Sequence, residues 1–505
     1  MSSGHNPEEK EKKKAMQGDY ILRKSNKSKY DYNLADRISE LADEVLVSIL
    51  TLLPLNEAAT TSILSKRWRY LCRYVLASTM TLNFDAEKTL CSLIDLNREE
   101  REQKISRYVD WVNSVVEQHT WPNIEQFRIS FDLDNSFSSS INKWIQFALK
   151  KRVQILELDF SEDGIHHRQK SCYNFPHELL GINRGSTSTA VCCEIPSLNP
   201  CVYLGLKSIR VLHFNFVDVA EEVIECFLSN CPVLERLSVF HSPNLVNLRV
   251  VGPSIALKYL VIRRCNSLES IEICDANLVS LSYVGNEISL LLRNVPLLVE
   301  VSISENCICN NFIEVAFTQL SCCLSQLEIL KLTDQIVPYK RDRIFPILAN
   351  LKHLEIIFEE DNVCGLLQLT SFFRASPCLH RLVLYLQMDY TKSMRGKIKY
   401  KKAKCSHNYL KIVELVGYDG HTTDFELVKY LAKTAVKLEK IVIKGEEEEG
   451  PWRKMARDVA MHKLKEKVPS TVEFVQRLSL VAEVTTLVPN FEHYSNNETV
   501  KLGDG

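Results

Sequence analysis

Residues 234–273, LERLSVFHSPNLVNLRVVGPSIALKYLVIRRCNSLESIEI, carry the pattern that decides the architecture of this chain. The frame Leu-x-x-Leu-x-Leu, with other apolar residues allowed, appears at Leu234/Leu237/Val239 and again at Leu257/Leu260/Ile262. Extra copies sit between the main ones, at Leu245/Leu248/Val250 and, ahead of the next main copy at Leu278, at Leu268/Ile271/Ile273. The last two apolar residues of each frame are two apart, the side-chain period of a strand with one buried face. Working outward, the frame recurs upstream at Ile124/Phe127/Ile129, Val153/Leu156/Leu158 and, in variant form, Leu206/Ile209/Leu212/Phe214. Downstream it recurs at Leu278/Leu281/Tyr283, Leu298/Val301/Ile303, Leu327/Leu330/Leu332, Leu351/Leu354/Ile356, Leu379/Leu382/Leu384, Leu410/Val413/Leu415 and Leu438/Ile441/Ile443. Start-to-start spacings from Leu234 to Leu298 are 23, 21 and 20, and elsewhere mostly 24 to 31. One match to so loose a template carries no weight. The near-periodic series predicts a solenoid of the leucine-rich-repeat type, each unit adding one short strand to a curved parallel sheet.

Repeat length sets the return path. Periods of 20 to 23 leave little room for a helix, so strand is expected on the convex side at 245–250 and 268–273. The longer repeat over 206–234 has room for one, in VAEEVIECFLSNCP (219–232), where Ala220, Val223, Ile224, Phe227 and Leu228 follow the 3.6 period. Loop formers interrupt the series over 160–205, and 387–407 reads as a basic, structureless insertion. Strand–helix–strand resumes over 408–445, followed by EEEE (446–449), an amphipathic stretch (453–468) and a disordered tail.

A different unit precedes the repeats: RISELADEVLVSILTLLPLNEAATTSILSKRWRYLCRY (37–74). Leu41, Val45, Leu46, Ile49, Leu50 and Leu53 form one broad helical stripe, which Pro54 ends. Asn56 is read as the N-cap of a second helix, with Leu55 as its apolar anchor, and Ser65 as the cap of a third carrying Trp68, Leu71 and Val75. Three such short helices bury little apolar surface alone, so a surplus face must pack on the rest of the chain or on another protein.

Composition narrows the function classes. The 505 residues exceed one ordinary core, and 62 basic against 63 acidic residues give a net charge of −1, with no global field for nucleic acid or an anionic membrane. The start, MSSGHNPEEKEKKK, has no apolar core of a signal sequence, and the longest apolar run, Val45 to Leu53, is about half what a bilayer needs. With 17 scattered cysteines, the expectation is a soluble chain of a reducing compartment, in the nucleus, the cytoplasm or both. LRKSNKSK (22–29) is either a nuclear address or a solvated tail. No zinc site is expected: Cys192-Cys193, Cys307-x-Cys309 and Cys322-Cys323 lack the spacing, and Cys226 and Cys231 have no second pair. His166-His167 reads as a solvated pair, and no phosphate loop or hydrolase motif occurs.

Leu41-Ala42, Ile49-Leu50-x-x-Leu53-Pro54 and Ser65-Lys66-Arg67-Trp68-Arg69 resemble an F-box. Together with repeats containing SNCPVLERLSV (229–239) and the C-terminal unit at 408–445, the chain resembles plant F-box/FBD/LRR-repeat proteins over roughly 36–470. The implied fold class is α/β: a small three-helix F-box, a leucine-rich-repeat solenoid partly strand-rich on its convex side, and a C-terminal FBD-type strand/helix unit. The boundaries read 1–33 leader, 34–80 F-box, 81–400 solenoid, 401–480 FBD-like unit and 481–505 tail. The resemblance implies a non-catalytic substrate receptor of an SCF-type ubiquitin ligase, without cofactor or metal. Its partners would be a Skp-family adaptor, through it cullin and RING subunits, and an unidentified target protein. An alternative is a scaffold or decoy that binds the adaptor without a full ligase. Implied adaptor contacts are Leu41, Leu46, Ile49, Leu50, Leu53, Pro54 and Trp68, of which Leu46, Leu50 and Trp68 could equally be module core. The family's first proline, placed at the first helical position, is Ala42 here, so weakened docking is expected.

For the target, alternation along each strand puts Arg236, Ser238, Phe240, Tyr259, Arg263, His353, Glu355, Arg381 and Tyr385 on the concave face. Arg236, Phe240, Tyr259, Arg263, His353, Arg381 and Tyr385 are the candidate recognition residues among them, with ordinary solenoid surface as the alternative.

Overall fold

The structure, a computed structural model, describes residues 38–479 except 39, 87–95, 162–170, 183–199, 253–254, 306–311, 334–344, 360–370, 388–406, 419–421, 447–457, 460, 463 and 466–467. The expected leader, residues 388–406 of the basic insertion expected over 387–407, the acidic run from 447 and the tail lie outside the described residues, while Gln387 ends a strand and His407 bridges to Ala435. Contacts divide the chain into two units, one holding the residues up to Thr79 together with Gln118–Thr120, the other Met80–Glu117 and the residues from Trp121 on.

The first unit holds helices α1 (Asp43–Thr51), α2 (Leu55–Thr60) and α3 (Lys66–Ser78), with a 3-10 turn over Thr61–Ile63. Its core is Leu46, Leu50, Ala58, Trp68, Leu71 and Val75, with Leu41, Val47 and Leu53 packed partly against it. Ser65 caps α3 as expected, its side chain accepting the Trp68 N–H at 3.2 Å. Asn56 does not cap α2. That helix begins at Leu55, two residues earlier than an Asn56 cap implies, because Pro54 with φ −53° and ψ 146° takes the cap position; the Asn56 side chain accepts from Glu57 N–H, at 2.8 Å. Ala42 likewise stands at the N-cap of α1, with φ −62° and ψ 152°, and not at its first helical position.

Along the second unit the strands are β1 (Thr81–Asp85), β2 (Gln126–Ser130), β3 (Ile155–Asp159), β4 (Tyr173–Asn174), β5 (Val211–Asn215), β6 (Val217–Asp218), β7 (Arg236–Phe240), β8 (Asn247–Val251), β9 (Tyr259–Arg263) and β10 (Ser270–Cys274). They continue as β11 (Ser280–Gly285), β12 (Ser289–Arg293), β13 (Glu300–Glu305), β14 (Ile329–Thr333), β15 (His353–Glu359), β16 (Arg381–Gln387), β17 (Ile412–Val416), β18 (Lys440–Glu446) and β19 (Glu473–Ser479). A 14-stranded sheet runs β1-β2-β3-β5-β7-β9-β11-β13-β14-β15-β16-β17-β18-β19; β8, β10 and β12 make a second sheet of three, and β4 pairs with β6. The neighbours are parallel, as successive turns of a solenoid require.

Register turns the sequence frame into a core. Leu212, Leu237, Leu260 and Leu281 stand side by side on one inward row, and Phe214, Val239, Ile262 and Tyr283 on the next. All eight are buried. Each such burial contributes about 1.5–3 kcal/mol against exposure. The short repeats return as strands, as their length demands: β8 and β10 occupy the expected positions, with Leu248, Val250, Ile271 and Ile273 buried. Their partner β12 lies outside the expected strands and pairs with β10.

Where a repeat is longer, a helix returns. α4 (Arg98–Gln118), α5 (Ser138–Lys150), α6 (Pro200–Leu206), α7 (Glu221–Asn230), α8 (Phe312–Gln319) and α9 (Thr422–Thr434) follow this rule, α7 within the expected segment. α5 buries Ile141, Trp144, Ile145, Ala148 and Leu149, a one-sided stripe. α6 crosses it so closely that a side chain at Gly205 would strike the Leu149 carbonyl. One strand precedes the first copy of the frame at Ile124: β1 pairs with β2, and α4 packs there through Trp111 on Phe84, ring centres 5.1 Å apart. At the other end, strand–helix–strand over 412–446 holds, and β19 extends it by one strand.

Candidate functional site

Two surfaces stand out, one on each unit. On the helical unit the core is filled and the leftover apolar side chains face out. Val45 and Ile49 on α1 and Leu52 at its C-cap lie at i, i+4 and i+7, a stripe of one helix face, and Leu52 is 84% exposed. Ile63 and Leu64, at the 3-10 turn, are 80% and 64% exposed. Of the residues marked from sequence, Ile49 and Pro54 are exposed, Leu41 and Leu53 half-buried, and Leu46, Leu50 and Trp68 buried in the module core. Val45, Leu52, Ile63 and Leu64 were not singled out as contacts. For Val45 and Leu52 the signal is geometric, because the apolar stripe of α1 is wider than the partner face inside the module can cover.

The Ser-Lys-Arg-Trp-Arg segment locks this arrangement. Arg67 donates from Nε and Nη2 to Asp43 Oδ1, at 2.8 and 2.6 Å, and from Nη2 to the Leu41 carbonyl at 2.6 Å. One guanidinium thereby holds the entrance of α1 against the start of α3, and Trp68 fills the space between. No spacing rule pointed to Arg67, since its partners are more than twenty residues away.

On the long sheet, the outward row alternates in character along the solenoid. Near its start Arg128 lies between Asp85 and Glu157, at 3.5 and 3.7 Å. Toward its end Lys331 lies between Glu300 and Glu355, both at 3.6 Å; Arg381 reaches Glu414 at 2.6 Å, and Lys444 lies 3.7 Å from the same carboxylate. Burial pushes the Glu355 carboxyl up, but the hydrogen bond from His353 and the charges of Lys331, His353 and Arg381 outweigh it, leaving it below the ordinary glutamate value. The middle is different. The Arg236 guanidinium lies 4.3 Å from the centre of the Tyr259 ring, and that of Arg263 5.6 Å from Phe240. His213, held below its usual pKa by burial, meets Phe240 edge-on at 5.0 Å.

The sequence-derived recognition residues thus fall into two groups. Arg236, Phe240, Tyr259 and Arg263 share one aromatic–guanidinium patch, because β7 and β9 pair Arg236 with Tyr259 and Phe240 with Arg263. His353, Arg381 and Tyr385 stand apart on β15 and β16, with His353 and Arg381 engaged by Glu355 and Glu414. Among the outward apolar positions, Val383 is buried.

Residues 115–477 match the profile of the At1g61320/AtMIF1 LRR domain, and residues 38–76 match the F-box domain. The chain belongs to the plant F-box/FBD/LRR-repeat family. Among the relatives of this F-box/FBD/LRR-repeat chain is the Arabidopsis thaliana F-box/FBD/LRR-repeat protein At5g22700, 25% identical over 437 residues, covering 82% of this chain and 93% of that one. The Arabidopsis thaliana FBD-associated F-box protein At4g10400 is 25% identical over 423 residues, 81% of this chain and 93% of its own length. The Arabidopsis thaliana F-box/FBD/LRR-repeat protein At3g52680 is 31% identical over 206 residues, 41% and 40% of the two chains. The helical unit is therefore the F-box, and the strand-rich unit carries the repeats. An F-box joined to repeats supports an adaptor role in general terms. No described helix is long and apolar enough to cross a membrane.

Proposed function

We propose that this protein is the substrate-recognition subunit of an SCF-type cullin-RING ubiquitin ligase, with the F-box docking a Skp-family adaptor and the repeats holding a target protein. The observation that carries the reading is the exposed apolar set Val45, Ile49, Leu52, Ile63 and Leu64 on a module whose own core is already filled. Exposed clusters of this kind mark protein interfaces. Ile49, Pro54 and the half-buried Leu41 and Leu53 belong to the proposed dock, whereas Leu46, Leu50 and Trp68 act through it by shaping the module. The chain serves as a non-catalytic subunit of the nucleus, the cytoplasm or both, with the F-box over 34–80, the solenoid over 81–400 and an FBD-like unit over 401–480. Tagged full-length chain purified from plant cells tests it. Co-purification of both adaptor and cullin is expected; absence of the adaptor defeats the proposal. Ala42, in place of the family's proline, favours one second reading, a non-degradative adaptor binder, and adaptor without cullin would select it.

A further inference from the structure

On the F-box, helix α3 breaks a rule that α1, α4 and α7 keep. A helix N-terminus carries partial positive charge and favours acidic side chains in its first turn. α1 opens with Asp43 and Glu44, α4 with Glu99 and Glu100, and α7 with Glu221 and Glu222. α3 has no acid in its first turn and begins Lys66-Arg67 instead. Arg67 is compensated by Asp43, on another element. Among the described residues, no ion pair or hydrogen bond engages the side chains of Lys66, Arg69 or Arg73. Like charges three and four residues apart on one helix also repel. α3 therefore keeps these cations at a cost to its own stability, the mark of residues retained for a contact outside the chain.

The same residues share one side of the helix. At about 100° per residue, Lys66, Arg69, Tyr70, Arg73 and Tyr74 fall within about 140° of its circumference. The other side holds Trp68, Leu71, Cys72 and Val75, all buried. All five outward residues are exposed, Tyr70 by 68% and Tyr74 by 56%. No carboxylate stands on this face, because every described acid of the module, Glu40, Asp43, Glu44 and Glu57, precedes α3. The module is thus divided by charge, with Arg67 and Asp43 joined across the divide. α1 packs on the buried side of α3, its Leu46 and Leu50 against Trp68, Leu71 and Val75. The basic face therefore points away from the helix that carries the Val45, Ile49 and Leu52 stripe.

We infer that the outward face of α3 docks an acidic helix of a protein other than the adaptor. Cations at positions 66, 69 and 73 repeat at i, i+3 and i+7, the spacing of a seam along which two helices pack side by side. Lys66 to Arg73 covers about 10.5 Å of helix axis. A partner helix that presents Asp or Glu at the same three- and four-residue spacing meets all three charges. Tyr70 and Tyr74, one turn apart, offer the partner's apolar side chains a flanking surface and keep their hydroxyls at the rim. A nucleic acid or an anionic bilayer would meet the charges but gain nothing from their helical spacing. The contact goes beyond the receptor reading and does not depend on it.

The test uses the full-length chain and a helix-forming peptide of about 21 residues, with Glu at i, i+3 and i+7 and Leu at i+4 and i+8. An isomer of the same composition with these positions shuffled is the control. Adaptor binding and melting temperature are measured on the same preparations. Wild type should bind the patterned peptide at least about tenfold more tightly than the isomer, and less tightly as salt rises. Arg69→Glu/Arg73→Glu should lose at least about tenfold in peptide affinity, whereas Leu52→Ala, on the adaptor dock, should bind the peptide as wild type does. Lys66→Glu should weaken the peptide by at least about threefold yet raise the melting temperature by roughly 1–4 °C, because an acid at the first position suits the helix terminus. A residue kept for the fold would not lose affinity while gaining stability. Equal binding of peptide and isomer, or a Lys66→Glu chain no more stable than wild type, would overturn the inference. So would tighter binding of a poly(U) oligonucleotide or of phosphatidylserine vesicles than of the patterned peptide. Loss of adaptor binding by a folded Arg69→Glu/Arg73→Glu chain would overturn it too, by giving this face to the adaptor. None of these results touches the receptor reading, which falls only if wild type fails to bind the adaptor.

Discussion

Leu50 and Leu52 are two residues apart on α1 and at its C-cap, yet they should fail in different ways. Leu52 is 84% exposed and Leu50 1%. Fully burying a leucine is worth about 1.5–3 kcal/mol, so covering the exposed part of Leu52 in an adaptor interface is worth about 1.3–2.5 kcal/mol. Leu52→Ala should then weaken adaptor binding about 10- to 70-fold, with the melting temperature of the free chain nearly unchanged. Leu50→Ala removes packing from between Leu46, Trp68 and Leu71, and should cost about 2–5 kcal/mol of module stability. Its apparent affinity should fall only by the fraction of modules unfolded, and should recover on cooling within the folded range. Titration calorimetry with purified adaptor, paired with thermal unfolding of the same samples, reads both quantities. Leu52→Ala binding within twofold of wild type would refute the placement of the dock on this face.

Three further outcomes are expected. Ala42→Pro should raise stability by about 0.4–1 kcal/mol, because the native φ of −62° already suits proline; a lower urea midpoint would refute this. Burial, then the neighbouring Arg264 charge, opposed by Asp159, lowers the His241 pKa to about 4, so the folded state favours the neutral ring. A depressed histidine costs stability as pH falls below the unfolded value near 6.5 and continues to cost until about 4, so wild type should lose about 1–2 kcal/mol between pH 7 and pH 5 through this group. His241→Asn, which tolerates the corner, should remove that part of the pH dependence in urea titrations, and an unchanged slope would contradict the assignment. Ile271→Ala, at a fully buried position of β10, should destabilise the repeats by about 2–5 kcal/mol, measured as faster amide exchange in β8, β10 and β12; no change there would show that the second sheet is not a packed layer.

Much of this molecule was legible as pattern. A strand that buries one face must alternate, so Leu237/Val239 and Leu260/Ile262 announced their inward direction, and repeats of 20 to 23 residues left room only for strand on the way back. Ser65 announced its helix because capping is a local bond between a hydroxyl and an N–H three residues on. Local signals failed where a single competing constraint intervened. Asn56 looked like a cap until the fixed φ of Pro54 started the helix first, and β1 offered only Leu82 and Phe84, far from the next copy of the frame.

What remained undecidable from the residues was every question of which side chain meets which. The apolar stripe of α1 contains both Leu50 and Ile49, and only packing against Trp68 and Leu71 shows that the first is core while the second faces out. Arg236 and Tyr259 were each visible as outward residues, but their stacking depends on the register between strands a full repeat apart. Periodicity determines the direction of a side chain because direction follows from the backbone of its own strand. Partnership is set by how separate elements come to rest against one another, and that information is created only when the chain folds.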